Sequence, residues 1–157
     1  MRPIIRIGNE QYAKRDKTYG LATLRKKHVE VYKDTLLFNF MGKSGKEHSL
    51  TVRNKTWESL VAKCEVIPGW ELFHFFDDDG AKKTVNSTLV NEYLYGILGK
   101  HFTAKDFRTW VASVLFFDTI SQFGITTDTA KKHKDKVTAF DAAAKVLGNT
   151  ESVCRKY

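Results

Sequence analysis

Four basic residues stand where a phosphate could be gripped: Arg6, Lys43, Lys105 and Arg108. Lys105 and Arg108 fall three apart in Phe102-Thr-Ala-Lys-Asp-Phe-Arg-Thr-Trp110, and so share one face if the segment is helical. Arg108 could then fork two hydrogen bonds onto phosphate oxygens while Lys105 supplies a proton or a point charge. On spacing alone, ordinary solvated surface charges explain the pair better. The chain closes with Leu147-Gly-Asn-Thr-Glu-Ser-Val-Cys-Arg-Lys-Tyr157. Scattered cations and a tyrosine, with no cluster of carboxylates or cysteines, suit metal-free chemistry on a phosphodiester.

Each cation also has a plainer reading. Gly42-Lys43-Ser44 looks like the tail of a nucleotide-binding loop, but Leu37 stands where that pattern needs a glycine, inside an expected strand. A lysine at a hairpin tip is most often solvated, although it can reach into a groove of nucleic acid. Arg6, in Ile4-Ile-Arg-Ile-Gly8, is equally suited to a structural ion pair and to a site. The histidines and cysteines lack metal-ligand spacing, and Asp77–Asp79 reads as a turn rather than a calcium loop. Lys131-Lys-His-Lys-Asp-Lys136 is a solvated helix face by default and a backbone-positioning patch against DNA.

The 157 residues suffice for one domain with a real core, and 42% apolar with 28% charged is globular composition. Lys and Arg (26) outnumber Asp and Glu (18), giving net charge +8 and favouring a polyanionic partner, most commonly nucleic acid. Two distant cysteines, Cys64 and Cys154, point to a reducing cytoplasm rather than a disulfide scaffold. No apolar run approaches membrane-spanning length. Both ends of the chain break off abruptly, which suggests a fragment.

The elements that must position these residues read as β first and α afterwards. Residues 21–24, 29–32, 36–40 and 49–52 are short runs rich in β-branched and aromatic residues, with Gly42-Lys-Ser-Gly-Lys-Glu47 as a hairpin loop and a further turn at Arg25-Lys26-Lys27. Helices are expected over 56–64, 87–98 and 128–147, the last closed by Gly148. Between them Thr103, with Asp106 three residues on, caps a helix whose apolar face is Phe107, Val111, Val114 and Leu115. Trp70–Phe76 is an aromatic run before the turn Asp77-Asp-Asp-Gly80. The class is α+β, mainly α, with a small antiparallel sheet near the N-terminus.

Taken in order, the motifs resemble the catalytic domain of type IB DNA topoisomerases of the small bacterial and poxvirus kind. Ile5-Arg-Ile-Gly-Asn-Glu-Gln-Tyr12 resembles that family's first arginine segment, and Tyr19-Gly-Leu-Ala-Thr-Leu-Arg-Lys-Lys-His28 the strand and turn after it. Phe40-Met-Gly-Lys-Ser-Gly-Lys-Glu-His48 is similar to the hairpin presenting the catalytic lysine, and Thr103–Trp110 to the second arginine motif. The resemblance spans essentially the whole chain, 1–157. It implies the fold shared with tyrosine recombinases, double-stranded DNA as partner, a monomer, and chemistry without metal or nucleotide.

It also implies roles. Arg6 and Arg108 stabilise charge on the phosphate, Lys43 is the general acid, and Lys105 its helper; Asn149 stands where poxvirus enzymes carry histidine. DNA contacts are expected from Tyr12, Lys46, Lys131, Lys132, Arg155 and Lys156. The family's nucleophile lies eight residues beyond the threonine matched by Thr150, so Tyr157 falls one short of it unless the register slips. The family's N-terminal clamp domain has no counterpart before Met1. The expectation is a bacterial, nucleoid-associated catalytic fragment, truncated at both ends, that binds DNA weakly and does not relax it. The rival readings are a tyrosine recombinase, which would carry histidine at the Lys105 position, and a non-catalytic DNA-binding module.

Overall fold

A computed structural model describes residues 4–155 and divides them into two compact units. One is Arg6–Ile97; the other joins 4–5 to 98–155.

In the first unit, helix α1 (Glu10–Arg15) starts where the Asn9 side chain accepts the Gln11 amide at 2.8 Å. Strands β1 (Val29–Tyr32), β2 (Thr35–Gly42) and β3 (Lys46–Arg53) form an antiparallel meander in that order. Leu36, Phe38, Phe40 and Gly42 alternate onto the buried face of β2, as period-two patterning requires. Helix α2 (Lys55–Glu65), capped by Asn54, lies against β1 and β2 and buries Val61. A hairpin of β4 (His74–Phe76) and β5 (Lys82–Thr84) precedes α3 (Ser87–Leu98). Leu24, Leu36 and Leu72 are the largest fully enclosed side chains. The Leu72 amide donates to the Leu24 carbonyl at 2.8 Å, so two distant segments meet at the core.

Two expectations need correction in this unit. Residues 21–24 are not a strand. The Thr23 hydroxyl accepts the Gly20 amide at 2.9 Å and lies 3.2 Å from the Gly20 carbonyl, folding the segment into a tight turn. The hairpin loop is also shorter than expected: β3 begins at Lys46, and only Lys43–Gly45 connect the strands, with Ser44 and Gly45 at positive φ.

His28 adds a pH dependence to this core. It is buried against Tyr19, ring centroids 4.3 Å apart, and its Nδ1 accepts the Arg25 amide at 3.0 Å. Burial, reinforced by the charges of Lys27 and Arg25, depresses its pKa from 6.5 to about 4. The unfolded chain therefore binds the proton more tightly. The stabilisation is fully present above pH 6.5 and is lost as pH falls towards about 4. The loss should reach roughly 3 kcal/mol. Urea midpoints measured across this range should drop further for the wild-type chain than for His28→Gln; parallel profiles would refute the assignment.

The second unit is helical. α4 (Ala104–Ser121) and α5 (Thr129–Leu147) pack together, Phe116 meeting Phe140 at 4.6 Å, and the short α6 (Glu151–Cys154) folds back on α5. The expected box at the start of α4 forms: the Asp106 carboxylate accepts both the amide and the hydroxyl of Thr103, at 2.8 and 2.7 Å. These hydrogen bonds hold the Asp106 pKa below the usual carboxylate range. The expected apolar face is not the buried one. Val111 and Leu115 are half-buried, but Phe107 and Val114 are exposed, as are Trp110 (70%) and Phe117 (69%). The helix is rotated so that its one buried residue is Arg108. Six α-helices and two small antiparallel sheets make the described residues an α+β protein, and none of these helices is long and apolar enough to cross a membrane.

Candidate active site

Arg108 is buried and held at two points. Only 8% of it is exposed; Nη1 donates to the Ile4 carbonyl, and Nη2 to the Leu147 carbonyl at 2.7 Å. Leu147 is the last residue of α5, where carbonyls lack helical partners and the helix dipole is negative. A guanidinium meets both needs, which is why this arginine is buried rather than being the solvated surface charge that spacing alone favoured. The Ile4 amide also donates to Val146, at 3.4 Å, laying the N-terminal segment along the same helix end.

Beyond Leu147 the chain makes a Schellman turn. Gly148 takes φ +63°, its amide reaches Lys145 O at 3.3 Å, and the Asn149 amide reaches Ala144 O at 2.9 Å. Asn149 is therefore fixed by backbone bonds two residues from the carbonyl that Arg108 grips. Thr150 then stands at the N-cap position of α6. Lys105 is exposed in the first turn of α4, one turn before Arg108. Lys105, Arg108 and Asn149 thus all belong to the second unit.

Arg6 and Lys43 belong to the first unit. Arg6 is half-buried, and its carbonyl accepts the Leu21 amide at 2.8 Å while Ile7 accepts Ala22 at 2.8 Å. Gly20 makes this contact possible: a Cβ there would stand 2.5 Å from Arg6 O and Gly8 N and 2.6 Å from Gly8 Cα. Lys43 is exposed at the tip of the β2–β3 hairpin, as expected. Gly20 lies inside the Tyr19–His28 motif, yet its role is not visible in the sequence. Its only signal was a glycine between bulkier residues, and the contact it permits is with a segment distant in sequence.

The expected DNA contacts are spread over both units. Tyr12 is exposed on α1 with the Arg15 guanidinium over its ring at 5.4 Å, and Lys46 is exposed at the start of β3. Lys131 and Lys132 are exposed in the first turn of α5. Arg155 pairs with Glu151 and lies over the Phe140 ring at 5.5 Å. Lys156 and Tyr157 lie outside the described residues. Among the described residues, no group of three or more His, Cys, Asp or Glu side chains could hold a metal ion.

Comparison with known proteins adds a family match and three relatives. The family described as eukaryotic DNA topoisomerase I, catalytic core, matches residues 2–157. The DNA topoisomerase 1B of Acanthamoeba polyphaga mimivirus is 35% identical over 159 residues, covering 97% of this chain and 47% of the viral protein. The DNA topoisomerase I of Monkeypox virus is 24% identical over 157 residues (97% and 46%), and DNA topoisomerase 1 of Drosophila melanogaster is 26% identical over 151 (91% and 14%). The chain thus spans just under half the length of these viral relatives. They are viral and eukaryotic, so the expected bacterial affiliation finds no support among them.

Proposed function

The chain belongs to the DNA topoisomerase I catalytic-core family, of type IB, and from that premise we propose that it provides the phosphate-gripping chemistry of a DNA nicking and resealing reaction. A tyrosine oxygen attacks a phosphodiester of duplex DNA, and the bond from phosphorus to the 5′ oxygen breaks. The strand is held as a 3′-phosphotyrosine while the freed 5′ end rotates, then returns to reverse the step. Guanidiniums of Arg6 and Arg108, with the Asn149 amide, neutralise charge developing on the non-bridging oxygens. The Lys43 ammonium passes its proton to the departing 5′ oxygen, aided by Lys105. The fold shared with tyrosine recombinases belongs to the same proposal.

The observation that best supports this reading is the anchoring of Arg108. A guanidinium held at two points by backbone carbonyls is already oriented, so little reorganisation is needed when charge develops. The recombinase alternative is weaker because Lys105 and Asn149 stand where that group carries histidine.

The 157-residue chain should bind duplex DNA with an affinity that falls steeply as salt rises. The register read from Thr150 puts Tyr157 one position before the family's nucleophile, and on that reading supercoiled plasmid should stay unrelaxed. Relaxed product from this chain would instead make Tyr157 the nucleophile. The protein as its gene encodes it, with any sequence flanking these residues, should form a covalent adduct at a DNA 3′ phosphate. Absence of that adduct would leave only a DNA-binding module.

A further inference from the structure

The β2–β3 register sets Phe40 opposite His48 and Gly42 opposite Lys46. The Phe40 and His48 rings stack at 4.9 Å with planes 15° apart. The imidazole also covers Gly42: a Cβ on that glycine would come within 2.4 Å of His48 Nε2 and 2.5 Å of Cδ2. Gly42 is buried, and its φ of −93° is open to any residue, so what demands glycine here is the ring above it. The next residue is Lys43, exposed at the tip, followed by Ser44 and Gly45 at positive φ.

We propose that His48 is a positioning residue for Lys43: its ring, seated between Phe40 and the Gly42 backbone, fixes the direction in which the hairpin presents the lysine. The proposal rests on the reading of Lys43 as the proton donor to the leaving 5′ oxygen. A misplaced acid slows only the step that needs its proton, and displacements of an ångström cost large factors in rate. An ammonium that delivers a proton to oxygen is dispensable when that atom is sulfur, which leaves as a thiolate unaided.

The test uses the protein as its gene encodes it, on a duplex with a mapped cleavage site bearing either oxygen or sulfur at the scissile 5′ position. His48→Ala should slow cleavage of the oxygen substrate roughly ten- to a hundredfold and cleave the sulfur substrate at the wild-type rate. Lys43→Ala should show the same selective recovery, and His48→Phe, which keeps a ring over Gly42, should retain most activity. Equal slowing of His48→Ala on both substrates, or no slowing on oxygen, would overturn the proposal. An unimpaired Lys43→Ala would instead remove the reading of Lys43 as the acid.

A second measurement needs no catalysis. In the 157-residue chain, Gly42→Ala should lower the urea midpoint strongly with His48 present and much less in a His48→Ala background. Additive effects would show that the ring does not hold Gly42.

Discussion

In the protein as its gene encodes it, replacing Arg108 by alanine should slow DNA cleavage by about two to three orders of magnitude, the usual cost of deleting one preorganised donor to a developing oxyanion. The same change should lower stability, because the Ile4 and Leu147 carbonyls lose a donor in a buried setting. Leaving such groups unsatisfied costs about 1–3 kcal/mol. The two effects can be separated. Single-turnover cleavage measured well below the unfolding midpoint reports the first, and urea unfolding the second. Arg108→Lys retains the charge but presents one compact ammonium where a planar fork spans two carbonyls, so it should recover little of the rate. Cleavage by Arg108→Ala within a few-fold of wild type would sink the assignment.

Gly20→Ala should be among the most destabilising single methyl additions in the chain. Its Cβ would meet backbone atoms of Arg6 and Gly8 at 2.5–2.6 Å, and backbone cannot swing aside as a flexible side chain can. The Arg6–Gly8 segment would have to shift, breaking the bond from the Leu21 amide to the Arg6 carbonyl and displacing the arginine it carries. Overpacking of this kind costs about 1–3 kcal/mol. Gly96 offers a matched control: it lies within α3, and nothing stands within 4 Å of an added Cβ. Gly96→Ala should therefore be neutral or stabilising, by up to ~1 kcal/mol. The urea midpoint should fall for Gly20→Ala and hold level or rise for Gly96→Ala. A Gly20→Ala chain as stable as wild type would show that residues 6–8 are not held by this contact.

What the sequence disclosed depended on the distance over which each interaction acts. The β2–β3 hairpin, the box joining Thr103 to Asp106 and the stop at Gly148 rest on residues a few positions apart, and their signals were legible. The burial of Arg108 depends on partners 104 and 39 positions away and could not be read from helical spacing. The same dependence misplaced the apolar face of α4. Pattern alone assigned Phe107 and Val114 inward, whereas seating Arg108 against the end of α5 turns them to the surface. Residues 21–24 looked like a strand by composition, but Thr23 folds them by bonding back to Gly20. The roles of Gly20 and Gly42 were hidden for a different reason: each is defined by the atoms that a missing side chain leaves room for.

Because Arg108 grips Ile4 and Leu147 through their carbonyl oxygens, this contact is indifferent to the side chains at those two positions. Any amino acid offers the same oxygen, so both positions are free to drift in evolution as far as the arginine is concerned. The constraint falls instead on Gly148, whose left-handed backbone shapes the turn that follows. An anchor built this way keeps the orientation of its cation while the side chains at positions 4 and 147 change.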